Sequence, residues 1–146
     1  MKPKGFKNAH GMHGECVGIG TIMCARAYHE LAKRDTIEVK PYEPLDPAWV
    51  HDVFGDLADG IFKENENDVL KTFPPESIKE HWQEIRDVIA TIPTAEELID
   101  LYTKIGAKHS LAELDIDESI RGEFLDISSA IRNRLTFARM TRLIVK

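Results

Sequence analysis

The chain has 146 residues, 42% of them hydrophobic and 30% charged, which fits one globular domain and leaves no room for a dinucleotide fold beside a substrate domain. A chain of this size buries about 68–70% of its unfolded surface, so its core needs no disulfide staples. The net charge of −6 and pI near 5.5 argue against a nucleic-acid partner, because neutralising phosphates takes a surplus of Lys and Arg on the contacting face.

Residues 1–12 are basic and interrupted by Gly and Pro, and read as an irregular lead-in. A helix is expected from His13 to about Ala32, with Val17, Ile19, Ile22, Met23, Tyr28 and Leu31 making it apolar on nearly every side. Such a helix calls for burial all round. Gly14, Gly18 and Gly20 in its first turns each cost about 1 kcal/mol relative to Ala, which implies a close approach by another helix or a ligand. Thr36 to Tyr42 is β-branched but has no visible strand partner, and is expected to be an extended connection.

Asp46 before Pro47 is an N-cap and first helical position for a run through Val50, Val53, Phe54, Leu57 and Ile61. After Pro74-Pro75, Ile78, Trp82, Ile85 and Val88 make the stripe of a third helix over Ser77 to Ala90. Thr94 and Glu97 form a capping box for a fourth, which Gly106 closes. Ser110 and Glu113 repeat the box on a short turn, Ile120 to Ile131 mark a fifth helix, and Thr136 caps a sixth. The sum is an all-α domain of about six helices around a buried first helix.

Five basic residues and no acid lie between Arg132 and Lys146, which leaves the first 131 residues at −11. Those cations are expected at a helix end, facing solvent or pairing with the acidic body, with a phosphate contact as the alternative. Cys16 and Cys24 are the only cysteines; with no CxxC spacing and no signal-like stretch they read as two buried thiols of a cytoplasmic protein. No apolar run approaches the ~18 residues of a membrane span.

The densest polar cluster is His10-Gly11-Met12-His13-Gly14-Glu15. An imidazole beside glycines suits zinc, nickel or iron, although a histidine where a loop meets a helix is also an ordinary polar residue. His29, His51, His81 and His109 are scattered among polar neighbours and read as surface. No glycine-rich dinucleotide loop, P-loop or nucleophile elbow is present.

The run His13-Gly14-Glu15-Cys16-Val17-Gly18-Ile19-Gly20-Thr21 resembles the HGE-x-VG-x-GT segment of the sn-glycerol-1-phosphate dehydrogenases, relatives of dehydroquinate synthase and the iron-containing alcohol dehydrogenases. Ile92-Pro93-Thr94-Ala95-Glu96-Glu97-Leu98 through Gly106-Ala107, and Leu114-Asp115-Ile116-Asp117, are similar to that family's later segments, and Arg132-Asn133-Arg134-Leu135-Thr136 resembles its closing R-x-R-[YF]-T.

The resemblance implies that residues 13–146 are the C-terminal helical domain of a two-domain enzyme that reduces dihydroxyacetone phosphate with NAD(P)H and a divalent metal. It places His13 as one of three metal ligands, the other two lying before this chain begins, and sets Arg132 and Arg134 as candidates for the substrate phosphate. His10 is a further possible ligand that the family pattern does not supply. The expected partner is the missing nucleotide-binding domain, or a second copy covering its docking face. A dehydroquinate synthase or glycerol dehydrogenase relative, and a non-catalytic helical interaction module, are the alternatives.

Overall fold

Thr94 Oγ1 accepts a hydrogen bond from the Glu97 N–H at 3.2 Å, while Glu97 accepts from the Thr94 N–H at 3.3 Å. This reciprocal box starts a helix at Ala95, as the sequence spacing predicts. Asp46 likewise accepts from the Ala48 N–H ahead of Pro47, and Thr136 from the Arg139 N–H. The computed structural model describes residues 10–146; residues 1–9 of the expected lead-in lie outside them.

The α-helices are α1 (His13–Ala32), α2 (Pro47–Phe54), α3 (Ala58–Glu64), α4 (Glu76–Glu80), α5 (Trp82–Ala90), α6 (Ala95–Lys104), α7 (Phe124–Ala130) and α8 (Phe137–Met140). They fall in six helical stretches, because α2 with α3 and α4 with α5 are broken runs, and 3-10 turns lead into α7 and follow α8. The all-α reading holds.

The breaks depart from the continuous runs that periodicity suggests. Gly55 takes φ +52°, in the left-handed region. A 3-10 turn after it re-aims the chain so that Val50 and Phe54 before the break and Ala58 and Ile61 beyond it all enter one core. At His81 (φ −103°, ψ 18°) the helix is interrupted again; beyond it Trp82 buries its indole and donates Nε1–H to the Arg34 carbonyl at 2.9 Å.

The connection over residues 36–42 opens on a bend at Thr36 and does find a partner. Val39 forms an isolated antiparallel bridge with Ile144, with Lys40 N–H donating to Leu143 and Val145 N–H to Glu38, both at 2.8 Å. The partner comes from the far end of the chain, so no local pattern could reveal it.

Helix α1 runs antiparallel to α6. His29 Nε2 lies 2.9 Å from the Ile92 carbonyl, Gly18 faces the Tyr102 ring, and Glu15 reaches Lys108 at 3.6 Å. Two cores flank it. One gathers Ile19, Met23, Phe54, Leu114 and Ile127; the other gathers Ile37, Leu70, Ile78, Trp82 and Leu143. Burial of α1 is therefore not all round: Ile19, Ile22, Met23 and Ala25 are buried, but His13, Gly14, Cys16 and Val17 are exposed. The first turns run past the end of α6, beyond the reach of the helices that cover the middle.

Candidate functional site

The entrance to α1 is held from below. His10 N–H donates to the Leu114 carbonyl at 2.9 Å, and His10 Nε2 lies 2.6 Å from the Asp115 carboxylate. Gly11 sits at φ +134°, where a Cβ would come within 2.6 Å of Leu114 Cδ2 and 2.9 Å of Glu15 Oε2. Only glycine fits there. Glu15 accepts from the Met12 N–H at 2.9 Å, so the Glu of the HGE run closes the helix end, with the Lys108 ammonium beside it.

His13 is the first residue of α1 and is exposed. Among the described residues its side chain has no hydrogen-bond or ion-pair partner. The other histidines are engaged: His29 at Ile92, His51 against the Phe62 ring at 5.3 Å, His81 with Glu84 at 3.0 Å, and His109 near Ala107 and Glu113. The Glu84 hydrogen bond and charge raise the His81 pKa above its ordinary value. His29 and His109 are half-buried rather than surface, because each ring reaches a backbone carbonyl.

The three glycines of the HGE run separate. A Cβ at Gly18 would stand 3.0 Å from the Tyr102 ring, so its bareness permits the α1–α6 contact; one at Gly14 would meet nothing within 4 Å. The close approach is thus made by a side chain of α6 at Gly18, and among the described residues Gly14 faces open space. Among the described residues no group of three or more His, Cys, Asp or Glu stands together to hold a metal.

Comparison with family models, with curated proteins and with solved structures finds no match.

Arg132 and Arg134 are both exposed. The Arg132 guanidinium folds onto its neighbour's carbonyl, Ile131 O, at 3.0 Å. Neither residue lines the cavities described in the structure. Two other arginines of the basic tail have gone inside. Arg139 is fully buried and lies 2.9 Å from Asp68, whose side chain is 1% exposed. Arg139 Nη2 also donates to Asn65 Oδ1, Ser129 O and Arg132 O at 2.7–2.8 Å.

Arg142 donates to the other Asp68 oxygen at 2.9 Å. The tail cations divide: Arg139 and Arg142 pair with the acidic body through one buried carboxylate, Lys146 reaches Asp126 at the surface at 3.4 Å, and Arg132 and Arg134 are exposed. Desolvation pushes the Asp68 pKa up; the Leu70 N–H, the Arg142 hydrogen bond and both guanidinium charges outweigh it and hold the carboxyl below its ordinary value. Among the described residues the buried Arg139 Nε has no hydrogen-bond partner, and Nη1, though within ion-pair distance of Asp68, points off the hydrogen-bonding direction.

Sequence reasoning missed this cluster. An Arg flanked by Ala138 and Met140 in α8 was its one trace. Nearby, a cavity of about 340 Å³ is lined by Lys40, Tyr42, Trp49, Glu123 and Arg142 among others, and three of these heads are occupied by internal partners: Trp49 donates to Glu123 and Arg142 binds Asp68.

Cys24 is half-buried, and desolvation raises its thiol pKa. Cys16 is exposed, against the expectation of two buried thiols, because it lies on the uncovered first turns of α1. No helix among the described residues is long and apolar enough to cross a membrane.

Proposed function

We propose that this chain is the helical, metal-site half of an NAD(P)-dependent sn-glycerol-1-phosphate dehydrogenase-like oxidoreductase, whose assembled form reduces dihydroxyacetone phosphate to sn-glycerol 1-phosphate. On its own it is inactive. The observation that carries the reading is His13: an exposed imidazole at the head of α1, unpartnered among the described residues, next to the open space at Gly14. Met12 just before α1 and Val17 on it are exposed, as are Leu101 on the adjoining α6 and Ile105 at its end, which leaves apolar surface suited to a second domain.

The described residues of one chain do not by themselves fit a bound divalent ion. They offer His13 without two further donors beside it, and His10 is already engaged by Asp115. A single imidazole does not hold zinc, nickel or iron tightly against water. In this reading the second domain, from a longer protein or a separate chain, brings the remaining donors and the nicotinamide cofactor. In this reading the exposed Arg132 and Arg134 are the candidates for the substrate phosphate, which a guanidinium fork suits. Two free cysteines suit a reducing compartment, and we place the protein in the cytoplasm.

The test is nicotinamide oxidation with dihydroxyacetone phosphate, with glycerol as the contrasting substrate. The isolated chain with added zinc, nickel or iron is expected to show no turnover. Together with the dinucleotide-binding domain it should turn over dihydroxyacetone phosphate, and His13→Ala should abolish that activity. Turnover by the isolated chain, or an unchanged rate in the assembled His13→Ala enzyme, overturns the reading.

A further inference from the structure

The cavity of about 340 Å³ that Arg142 borders holds two polar heads with nothing to bind. Lys40 and Tyr42 line it, two residues apart beside the Val39–Ile144 bridge, and both are half-buried. Among the described residues the Lys40 ammonium has no ion-pair or hydrogen-bond partner, and the Tyr42 hydroxyl makes no hydrogen bond. Burial pushes the Tyr42 pKa above its ordinary value, so at neutral pH the phenol is an O–H donor that lacks an acceptor.

The wall behind them is short of negative charge. Arg139 and Arg142 share the one carboxylate of Asp68, which leaves a positive charge out of water, and the Tyr42 phenol lies in the field of all three groups. A charge buried without compensation is costly. The acids that line the cavity have other tasks: Glu123 accepts from Trp49, Asp46 caps α2 and Asp126 faces Lys146, while Glu43 is exposed. Their charges repel a dianion about twice as strongly as a monoanion.

We propose that this cavity binds a small organic monocarboxylate, whose oxygens take the Lys40 ammonium and the Tyr42 hydroxyl and whose apolar body lies against Leu45, Leu70 and Trp49. The volume is at the small end of ligand pockets. A single carboxylate satisfies both idle donors and supplies the negative charge that the arginine pair lacks. The site uses no residue of the His13 end of α1 and neither Arg132 nor Arg134, so it stands or falls independently of the proposed enzyme.

The experiment titrates the isotope-labelled full chain with sodium benzoate and with sodium hexanoate, and follows amide and indole N–H resonances. Benzamide, the neutral counterpart of benzoate, and inorganic phosphate are the contrasts. At least one of the two acids should saturate one site per chain, with shifts centred on Lys40, Tyr42 and the Trp49 indole. Benzamide and phosphate should bind at least about tenfold more weakly. Lys40→Met and Tyr42→Phe keep the bulk and remove one donor each; a hydrogen bond to a charged group is worth about tenfold in affinity or more, so each should weaken the acid by about that factor. Lys104→Met, on α6 and outside the cavity lining, should bind as the parent chain does.

Absence of saturable shifts with both acids overturns the proposal. So does binding that Lys40→Met leaves unchanged, or benzamide binding as tightly as benzoate, which would make the cavity a merely apolar cleft. Phosphate binding more tightly than either acid overturns the carboxylate assignment.

Discussion

Replacing Asp68 by Asn tests the buried charge cluster. Asparagine keeps nearly the same shape and still offers an oxygen to the Leu70 N–H, which Asp68 Oδ1 now engages at 2.9 Å. The change therefore isolates the charge. It leaves the fully buried Arg139 and the 11%-exposed Arg142 without their shared counter-ion. Breaking a buried pair by removing one partner costs about 3–5 kcal/mol. Because Arg142 borders a cavity and can turn toward solvent, the lower end applies, about 3 kcal/mol.

Against a typical domain stability of about 5–15 kcal/mol that is a large loss, corresponding to a melting point lower by about 6–12 °C. Denaturant unfolding followed by circular dichroism at pH 7 reads it directly. The pH dependence supplies the sign. The folded carboxyl titrates below its unfolded value, so the stabilisation is complete above the unfolded value and is lost as pH falls through the folded one. The gap between parent and Asp68→Asn should be full at pH 7 and shrink below about pH 4. A loss under about 1 kcal/mol at pH 7, the range of exposed pairs, or a gap that persists undiminished in acid, refutes the account.

The glycines give a contrast on one helix. Gly14→Ala meets open space and should stabilise by about 0.5–1 kcal/mol, whereas Gly18→Val drives methyls into the Tyr102 ring 3.0 Å from the Cβ position and should destabilise by about 2 kcal/mol; thermal melts of the pair decide it, and equal effects would contradict the α1–α6 packing. Gly11→Ala should lose about 1–3 kcal/mol and loosen the start of α1, seen as faster amide exchange at Cys16, since the backbone there is left-handed and the space is filled. Thr94→Ala removes the cap of α6 and should cost about 1 kcal/mol in urea unfolding.

The sequence alone determined the features that depend on neighbours a few residues apart. The Asp46, Thr94 and Thr136 caps, the closure of α6 at Gly106 with φ +71°, the span of α1 and the all-α class all follow from local side-chain hydrogen bonds and apolar periodicity. His13 at the mouth of α1 was legible for the same reason.

Tertiary structure decided what depends on distant segments. Only the fold shows that Val39 pairs with Ile144, that His29 meets the Ile92 carbonyl, and that Asp68 draws Arg139 into the core from far along the chain. Exposure belongs to the same group. Cys16, Val17 and His13 sit on a helix whose composition calls for burial, and they lie open because α1 extends past its neighbours. A composition records how apolar a segment is; the length of the helix packed against it sets how much of that surface is covered.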